Sequence, residues 1–291
     1  MAIELTPLHP HFAAEAGGID LARPLSAEAV REIELAMDRH AVLVWRGQPM
    51  TQEEQVRFAS SFGHLDIGLK KVFKRKERFD HDELIDISNV GTDGKVVARD
   101  APKNLSNFAN MLWHSDSSFQ NPRAAYSMLS AVVLPSWGGN TEFADLRAAY
   151  DALPERTRAE IADLKAEHAA LHTRIMLGDD AYTDEQKKAI PPAVWPLAQT
   201  HRSSGRKVLF VGVHATHILG WPVAEGRMYL SDLLEHATRR EFVYEHRWRI
   251  GDLVMWDNRA TLHRGRRFDI AERRELRRTT VDDLPPAALA A

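Results

Sequence analysis

The sequence predicts a mainly β fold with flanking helices, a double-stranded β-helix (jelly roll) in which two antiparallel sheets enclose a pocket. Three observations carry that expectation. Many short strand-like runs crowd the second half of the chain. Helical patterns gather near the N-terminus and in one insertion. The strands do not alternate with helices as βαβ units would require.

Taken in order, residues 3–6 alternate weakly and are expected to form a first strand. Ser26 is placed to cap a helix running to about His40, with Val30, Ile33, Leu35 and Met37 supplying most of its apolar residues. Ala41-Val-Leu-Val-Trp45 reads as a buried strand, stopped by Arg46-Gly47-Gln48-Pro49. Thr51-Gln-Glu-Glu54 has the capping-box pattern, and the helix it opens ends at Gly63. Residues 67–82 are basic, with Lys70, Lys71, Lys74, Arg75, Lys76 and Arg78. Such a stretch is a solvated surface loop, or a lid bringing one cation to an anionic substrate. Leu84–Val90 is a strand expected to turn through Gly91-Thr-Asp-Gly94 into a hairpin with Lys95–Ala98. Ala124–Val133 is long enough for a central strand, and Gly138-Gly139 leads into another through Phe143. Asp145 caps a helix to Leu153, Pro154 opens a second toward Leu164, and residues 165–192 read as irregular helix. Residues 145–192 are thus expected to be a helical insertion within one domain spanning 1–291, because no flexible linker bounds them. Strands resume at Val194–Ala198 and Lys207–Gly212, and a helix covers Val223–Thr238. Further strands are expected at Phe242–Trp248, Asp252–Trp256, Ala260–His263 and Arg274–Val281.

Composition narrows the classes of function. Charged residues at 27% and hydrophobic residues at 44% are ordinary for a globular protein. Cysteine is absent, which excludes disulfides and thiolate metal sites and suits a cytoplasmic location. The opening residues Met1-Ala-Ile-Glu-Leu-Thr lack the basic and apolar regions of a signal peptide, and no apolar run suggests a membrane partner. A net charge of −3 argues against a nucleic-acid partner.

The chemistry centres on Asn107-Phe-Ala-Asn-Met-Leu-Trp-His-Ser-Asp-Ser-Ser-Phe119. In an extended strand His114 and Asp116 project to one face and could bind one metal. His263, far downstream, is the best third ligand, and two histidines with one carboxylate form the facial triad of non-haem Fe(II) oxygenases. The tripeptide alone is weak evidence: 14 His and 41 Asp+Glu in 291 residues give about two His-x-Asp/Glu by random placement. The rivals are His64-Leu-Asp66, placed just past a helix end, and His81-Asp-Glu83 in the basic stretch. A 2-oxo acid chelating the iron carries a second carboxylate, whose burial demands an arginine. Arg274 and Arg278 lie four apart and share a face if the chain turns near Phe268-Asp-Ile270 and returns antiparallel beside the His263 strand.

Here the chain resembles the TauD/TfdA family of Fe(II)- and 2-oxoglutarate-dependent dioxygenases over nearly its whole length. The resemblance is carried by Leu-Trp-His-Ser-Asp-Ser-Ser-Phe, Gly-Gly-Asn-Thr-Glu-Phe, Gly-Asp-Leu-Val-Met-Trp-Asp-Asn-Arg, Leu-His-Arg-Gly-Arg-Arg and Arg273-Arg-Glu-Leu-Arg-Arg278. It implies Fe(II) ligands at His114, Asp116 and His263. It implies that Thr141 and Arg274 hold the distal carboxylate of 2-oxoglutarate, with Asn110 nearby, and that O2 is the oxidant. It also implies that Arg278 and Lys71 meet the carboxylate of a small anionic aromatic substrate. His201, His214 and His217 match family histidines, with His217 expected to face that substrate. Trp113 and Trp256, which flank the ligands, read as core aromatics. The activity implied is ether cleavage of aryloxyacetates of the 2,4-dichlorophenoxyacetate type. Hydroxylation next to the carboxylate gives a phenol, glyoxylate, succinate and CO2. The same chemistry on another aryloxyalkanoate, aromatic acid or sulfonate is the alternative, and a metal- or anion-binding jelly roll without oxygen chemistry is a more distant one. A homo-oligomer is expected.

Overall fold

The computed structural model describes residues 3–73, 78–179 and 182–284, apart from the side chains of Lys71 and Phe73. Seven strands form the larger sheet, in the order Glu4–Pro7, Ala14–Gly17, Val42–Trp45, Leu253–Asp257, Ala124–Val133, Glu275–Asp282 and Ile85–Ser88. All neighbours are antiparallel except Ala14–Gly17 beside Val42–Trp45. A smaller sheet runs Val243–His246, Thr141–Asp145, Thr261–Gly265. The two make an open jelly roll, not a closed barrel, as the strand pattern predicts.

Each face of the larger sheet has its own core. The helices Ala27–His40 and Gln52–Ser60 cover the outer face, burying Ile33, Met37 and Phe58 against Leu43, Trp45, Met128 and Met255. Both helices start as their sequences predict. Ser26 Oγ accepts the Ala29 N–H at 3.2 Å, and the Thr51–Glu54 capping box closes in both directions. The inner face presents Val42, Val44, Leu129, Val254, Trp256 and Leu276 to Phe143 of the smaller sheet. That apolar layer is the floor on which the site is built.

Four expectations are corrected. The Arg274–Arg278 strand does not return beside the His263 strand: Glu275–Asp282 pairs with Ala124–Val133 in the larger sheet, and Thr261–Gly265 pairs with Thr141–Asp145 in the smaller one. The chain crosses between sheets at residues 266–274, so His263 and Arg278 meet across the pocket. The hairpin at Gly91–Gly94 forms its turn but only one bridge, Val90 to Val96. Asn89 is tied to the neighbouring segment as well as to the hairpin: its carbonyl accepts the Val97 N–H, its N–H donates to the Arg274 carbonyl, and its side chain bonds the Ile270 and Glu272 carbonyls and the Arg274 N–H. Residues 165–192 contain a strand, Lys165–His168, paired with Ala193–Pro196 and with Ala215–Ile218. Its Lys-Ala-Glu-His sequence offers little apolar contrast, which is why periodicity misses it. The helices Ala170–Met176 and Asp184–Ala189 follow that strand within the stretch, and Leu146–Asp151 and Glu155–Ile161 precede it. Finally, the basic stretch is partly structural. Arg78 pairs with Asp86 at 2.8 Å and Glu275 at 3.1 Å, and Lys70 Nζ donates to the Leu84 carbonyl at 2.6 Å. Lys74, Arg75 and Lys76 lie outside the described residues. No described helix is long and apolar enough to cross a membrane.

One buried group makes the fold sensitive to acid. His168 lies against Phe210 at 5.3 Å, and burial, aided by Arg123, holds its pKa down to about 3 from an ordinary 6.5. Unfolding lets it take a proton below pH 6.5, so stability is full above that value and falls as pH drops toward 3. This group alone is expected to remove about 2 kcal/mol between pH 7 and pH 5. Urea unfolding at the two pH values checks this, and His168→Gln should flatten the difference.

Candidate metal centre and substrate cavity

An antiparallel bridge sets the two histidines side by side. His114 N–H donates to the His263 carbonyl at 3.1 Å, and His263 N–H returns a bond at 2.8 Å. Residues opposed in this way send their side chains to one face, and the rings stand 4.2 Å apart. Asp116 reaches them by a route other than the extended strand expected from the sequence. His114 occupies a single bridge and Asp116 begins a turn, which passes through Ser117 at φ 51°. Ser117 Oγ and Gln120 Nε2 both donate to Asp66, at 3.0 and 2.8 Å, and that anchors the turn. The rival motifs are thereby explained: Asp66 holds the loop, His64 pairs with Asp282 at 2.8 Å, and His81 with Glu53 at 3.5 Å.

One oxygen or nitrogen from each of His114, Asp116 and His263 lies within 4.8 Å of the others, all three residues being buried. His114 Nε2 is 3.9 Å from Asp116 Oδ1, and His263 Nε2 is 3.7 Å from Oδ2. His114 Nδ1 lies 2.7 Å from the Leu112 carbonyl, a partner that fixes Nδ1–H and leaves Nε2 free to ligate. Burial pushes both imidazoles down from 6.5, keeping them neutral. Burial alone would raise Asp116, but the Arg278 guanidinium above all, with the Ser127 hydrogen bond, holds it at about 2. Two neutral nitrogens and one carboxylate suit a divalent first-row metal with positions left open.

Arg274 is the second feature that fits an absent group. It is buried, its Nη2 donates to the Gly139 carbonyl at 2.9 Å, and its Nε has no partner. Among the described residues no carboxylate forms an ion pair with it. Burial pushes it down to about 10, which leaves it cationic at neutral pH. Gly139 makes room: at φ +72° a Cβ there would come 2.9 Å from Arg274 Nε. Thr141 faces the same pocket as His263, because Gly265 opposes Thr141 and His263 opposes Phe143 in register. Its Oγ1 accepts the Trp248 indole N–H at 3.0 Å, so its own O–H is free to donate. Asn110 lines the pocket too, its carbonyl accepting the Gly265 N–H at 2.8 Å.

A larger cavity of about 720 Å³ opens on the other side of the ligands. Ile67, Leu69, Ile85, Ile87, Phe119 and Ala170 supply apolar wall; Arg278 and His214 are polar points beside the ligands, and Lys70, Asp86, Lys103 and Arg174 add charged wall. Arg278 faces both pockets and is bonded to Asp116. Of the three family histidines, only His214 is in this wall. Its ring meets His114 at 5.9 Å and Phe119 at 5.0 Å, and Nδ1 meets Thr173 Oγ1 at 3.1 Å. His217, expected to face substrate, is not: its Nδ1 lies 2.8 Å from Thr216 Oγ1, and Glu167 is near. The reason is register, since the residues after Val211 form a strand, Ala215–Ile218, that carries His217 away alongside Lys165–His168, in a sheet separate from the two that hold the ligands. His201 is also elsewhere, bonded to Asp257 at 3.0 Å. Trp256 is core, as expected, and Trp113 is buried beneath Arg264 at 4.5 Å. Ser127, Asn258, Phe119 and His214 are the site residues that sequence reasoning passed over or left without a role. A serine inside the apolar run Ala124–Val133 was the one legible hint.

A family profile described as Taurine catabolism dioxygenase TauD, TfdA family matches residues 4–280. The alpha-ketoglutarate-dependent 2,4-dichlorophenoxyacetate dioxygenase of Cupriavidus pinatubonensis is 61% identical over 284 residues, covering 97% of this chain and 99% of that protein. An (S)-phenoxypropionate/alpha-ketoglutarate-dioxygenase of Sphingobium herbicidovorans is 34% identical, covering 94% and 92%. Among solved structures, AAD-2 in complex with Mn(II) and N-oxalylglycine superposes with a TM-score of 0.90 at 47% identity, covering 98% of each chain.

Proposed function

We propose that this chain, which belongs to the TauD/TfdA dioxygenase family, uses Fe(II), 2-oxoglutarate and O2 to cleave 2,4-dichlorophenoxyacetate and related aryloxyacetates. The observation that carries the reading is the convergence of His114, Asp116 and His263 beside a buried guanidinium, Arg274, that has no carboxylate partner. The 61% identity to a 2,4-dichlorophenoxyacetate dioxygenase supports the choice of substrate.

In this reading His114, Asp116 and His263 hold the metal, and Arg274 with Thr141 takes the distal carboxylate of 2-oxoglutarate, Asn110 lying alongside. The bound metal, with cosubstrate and O2, supplies the oxidative decarboxylation to succinate and CO2 that places one oxygen atom on substrate. The protein's own share is charge pairing and aim. Arg278 neutralises Asp116 in this structure; once a cation takes over that role, its guanidinium is available to a substrate carboxylate across the cavity. Lys71 is proposed as the second cation, its backbone lying in the short helix Lys70–Phe73 beside cavity residues Leu69 and Lys70. The apolar wall then receives the ring, so that the methylene between ether oxygen and carboxylate sits nearest the metal ligands. His214, neutral because burial pushes it well below 6.5, takes the role that His217 was expected to fill. Hydroxylation of the methylene gives a hemiacetal, which breaks its C–O bond to release phenol and glyoxylate. We place the protein in the cytoplasm, which its lack of cysteine suits, and infer a homo-oligomer, for which exposed Val223 and Met228 on one helix offer apolar surface.

The test is turnover of 2,4-dichlorophenoxyacetate with Fe(II), 2-oxoglutarate and air, measuring succinate and phenol together. The expected result is one phenol per succinate. Succinate without phenol would retain the oxygenase and remove this substrate; neither product would remove the proposal.

A further inference from the structure

A closed hydrogen-bond circuit lies behind the carboxylate ligand. Asn258 Oδ1 accepts two N–H donors, the Asp116 backbone at 3.0 Å and the Trp256 indole at 3.0 Å. Two donors on one atom fix which end of the amide is oxygen, and the other end must donate. It does so, from Asn258 Nδ2 to Ser127 Oγ at 2.9 Å. A serine hydroxyl has one hydrogen, and with Asn258 occupying a lone pair, that hydrogen goes to Asp116 Oδ2 at 2.8 Å. Thr280 Oγ1, 3.3 Å from Ser127 Oγ, completes the shell. Ser127, Asn258, Trp256, Thr280 and Asp116 are all buried.

The circuit has a fixed direction, and its last bond ends on a metal ligand. The Ala124–Val133 strand supplies Ser127, opposed to Trp256 on one side and Thr280 on the other. The segment after Trp256 supplies Asn258. Asp116, by contrast, sits in a turn, where nothing in regular backbone would hold its side chain. The geometry points to Ser127 and Asn258 as positioning residues that lock the Asp116 carboxylate toward His114 and His263 and thereby set metal affinity. This deepens the metal centre proposed above and rests on it. Asn258 fixes backbone and hydroxyl at once; Ser127 fixes one carboxylate oxygen, leaving Oδ1 facing Arg278 and His114.

The experiment is titration of the metal-free full chain with Mn(II), counting free Mn(II) by electron paramagnetic resonance. Outer partners of metal ligands typically change affinity about 10–100-fold, and Ser127→Ala and Asn258→Ala are each expected to weaken Mn(II) by that much. Because both act on one carboxylate, the double variant should fall short of the product of the two effects. Thr280→Val, which removes a neighbouring hydroxyl but leaves the bond to Asp116, should stay within about threefold of wild type, since it spares the outer partner itself. Thermal melting of each metal-free variant separates loss of fold from loss of affinity, and the Asn258 arm stands if the serine variant does not fold. Folded Ser127→Ala and Asn258→Ala proteins that bind Mn(II) as wild type does would overturn the inference. Wild-type protein that binds no Mn(II) would overturn the metal centre itself, a distinguishable result.

Discussion

His263→Gln is expected to abolish 2-oxoglutarate-dependent turnover, with a fall of about 10³-fold or more, the equivalent of several kcal/mol of lost metal catalysis. Glutamine keeps much of the side-chain volume between Phe143 and Trp256, whose rings lie 6.1 and 4.7 Å from that of His263. The change therefore removes the ligating nitrogen and spares most of the packing. Asp116 would keep its bond to Arg278, and the backbone bridge from His263 to His114 would survive, since it uses no side chain. Metal binding and activity should fall together while the melting temperature of the metal-free protein changes little. Oxygen consumption within tenfold of wild type would remove His263 from the ligand set.

The second large effect combines a loss with a gain. Arg274→Met should raise KM for 2-oxoglutarate by about 10²–10³-fold, because a buried carboxylate that loses its partner costs about 3–5 kcal/mol. The same variant should raise the melting temperature of the ligand-free protein by about 2–4 °C, as expected when roughly 1 kcal/mol of desolvation is relieved. Arg274 is buried with an unpartnered Nε and no carboxylate among the described residues, so the free protein carries an uncompensated cation that an apolar chain of similar length would replace. Steady-state kinetics and calorimetry on the same preparation check both halves. A variant that melts lower and binds 2-oxoglutarate normally would show Arg274 to be a packing residue.

Much of the fold was legible because local chemistry and tertiary structure agree there. Ser26 and the Thr51–Glu54 box start their helices where the sequence says, and Ala124–Val133 is the central strand its length demands. Where side chains carry little contrast, as at Lys165–His168, the strand exists only because Ala193–Pro196 and Ala215–Ile218 flank it. The same pairing moved His217 out of the cavity and left His214 in its wall.

The sequence by itself determined the inventory: two histidines and a carboxylate in a specific context, two arginines four apart, and no cysteine. Spacing along a strand can state which residues share a face, and Arg274 and Arg278 do both reach the pocket. Only the tertiary structure decided how these groups meet. Sequence distance does not encode which sheet a strand joins, and that choice set Arg278 across from His263 instead of beside it. It also decided that Asp116 would be aimed by Ser127 and Asn258, which lie 11 and 142 residues away. A hydrogen bond is fixed by distance and direction in space, so partners of that kind become visible only when the sheets have closed around them.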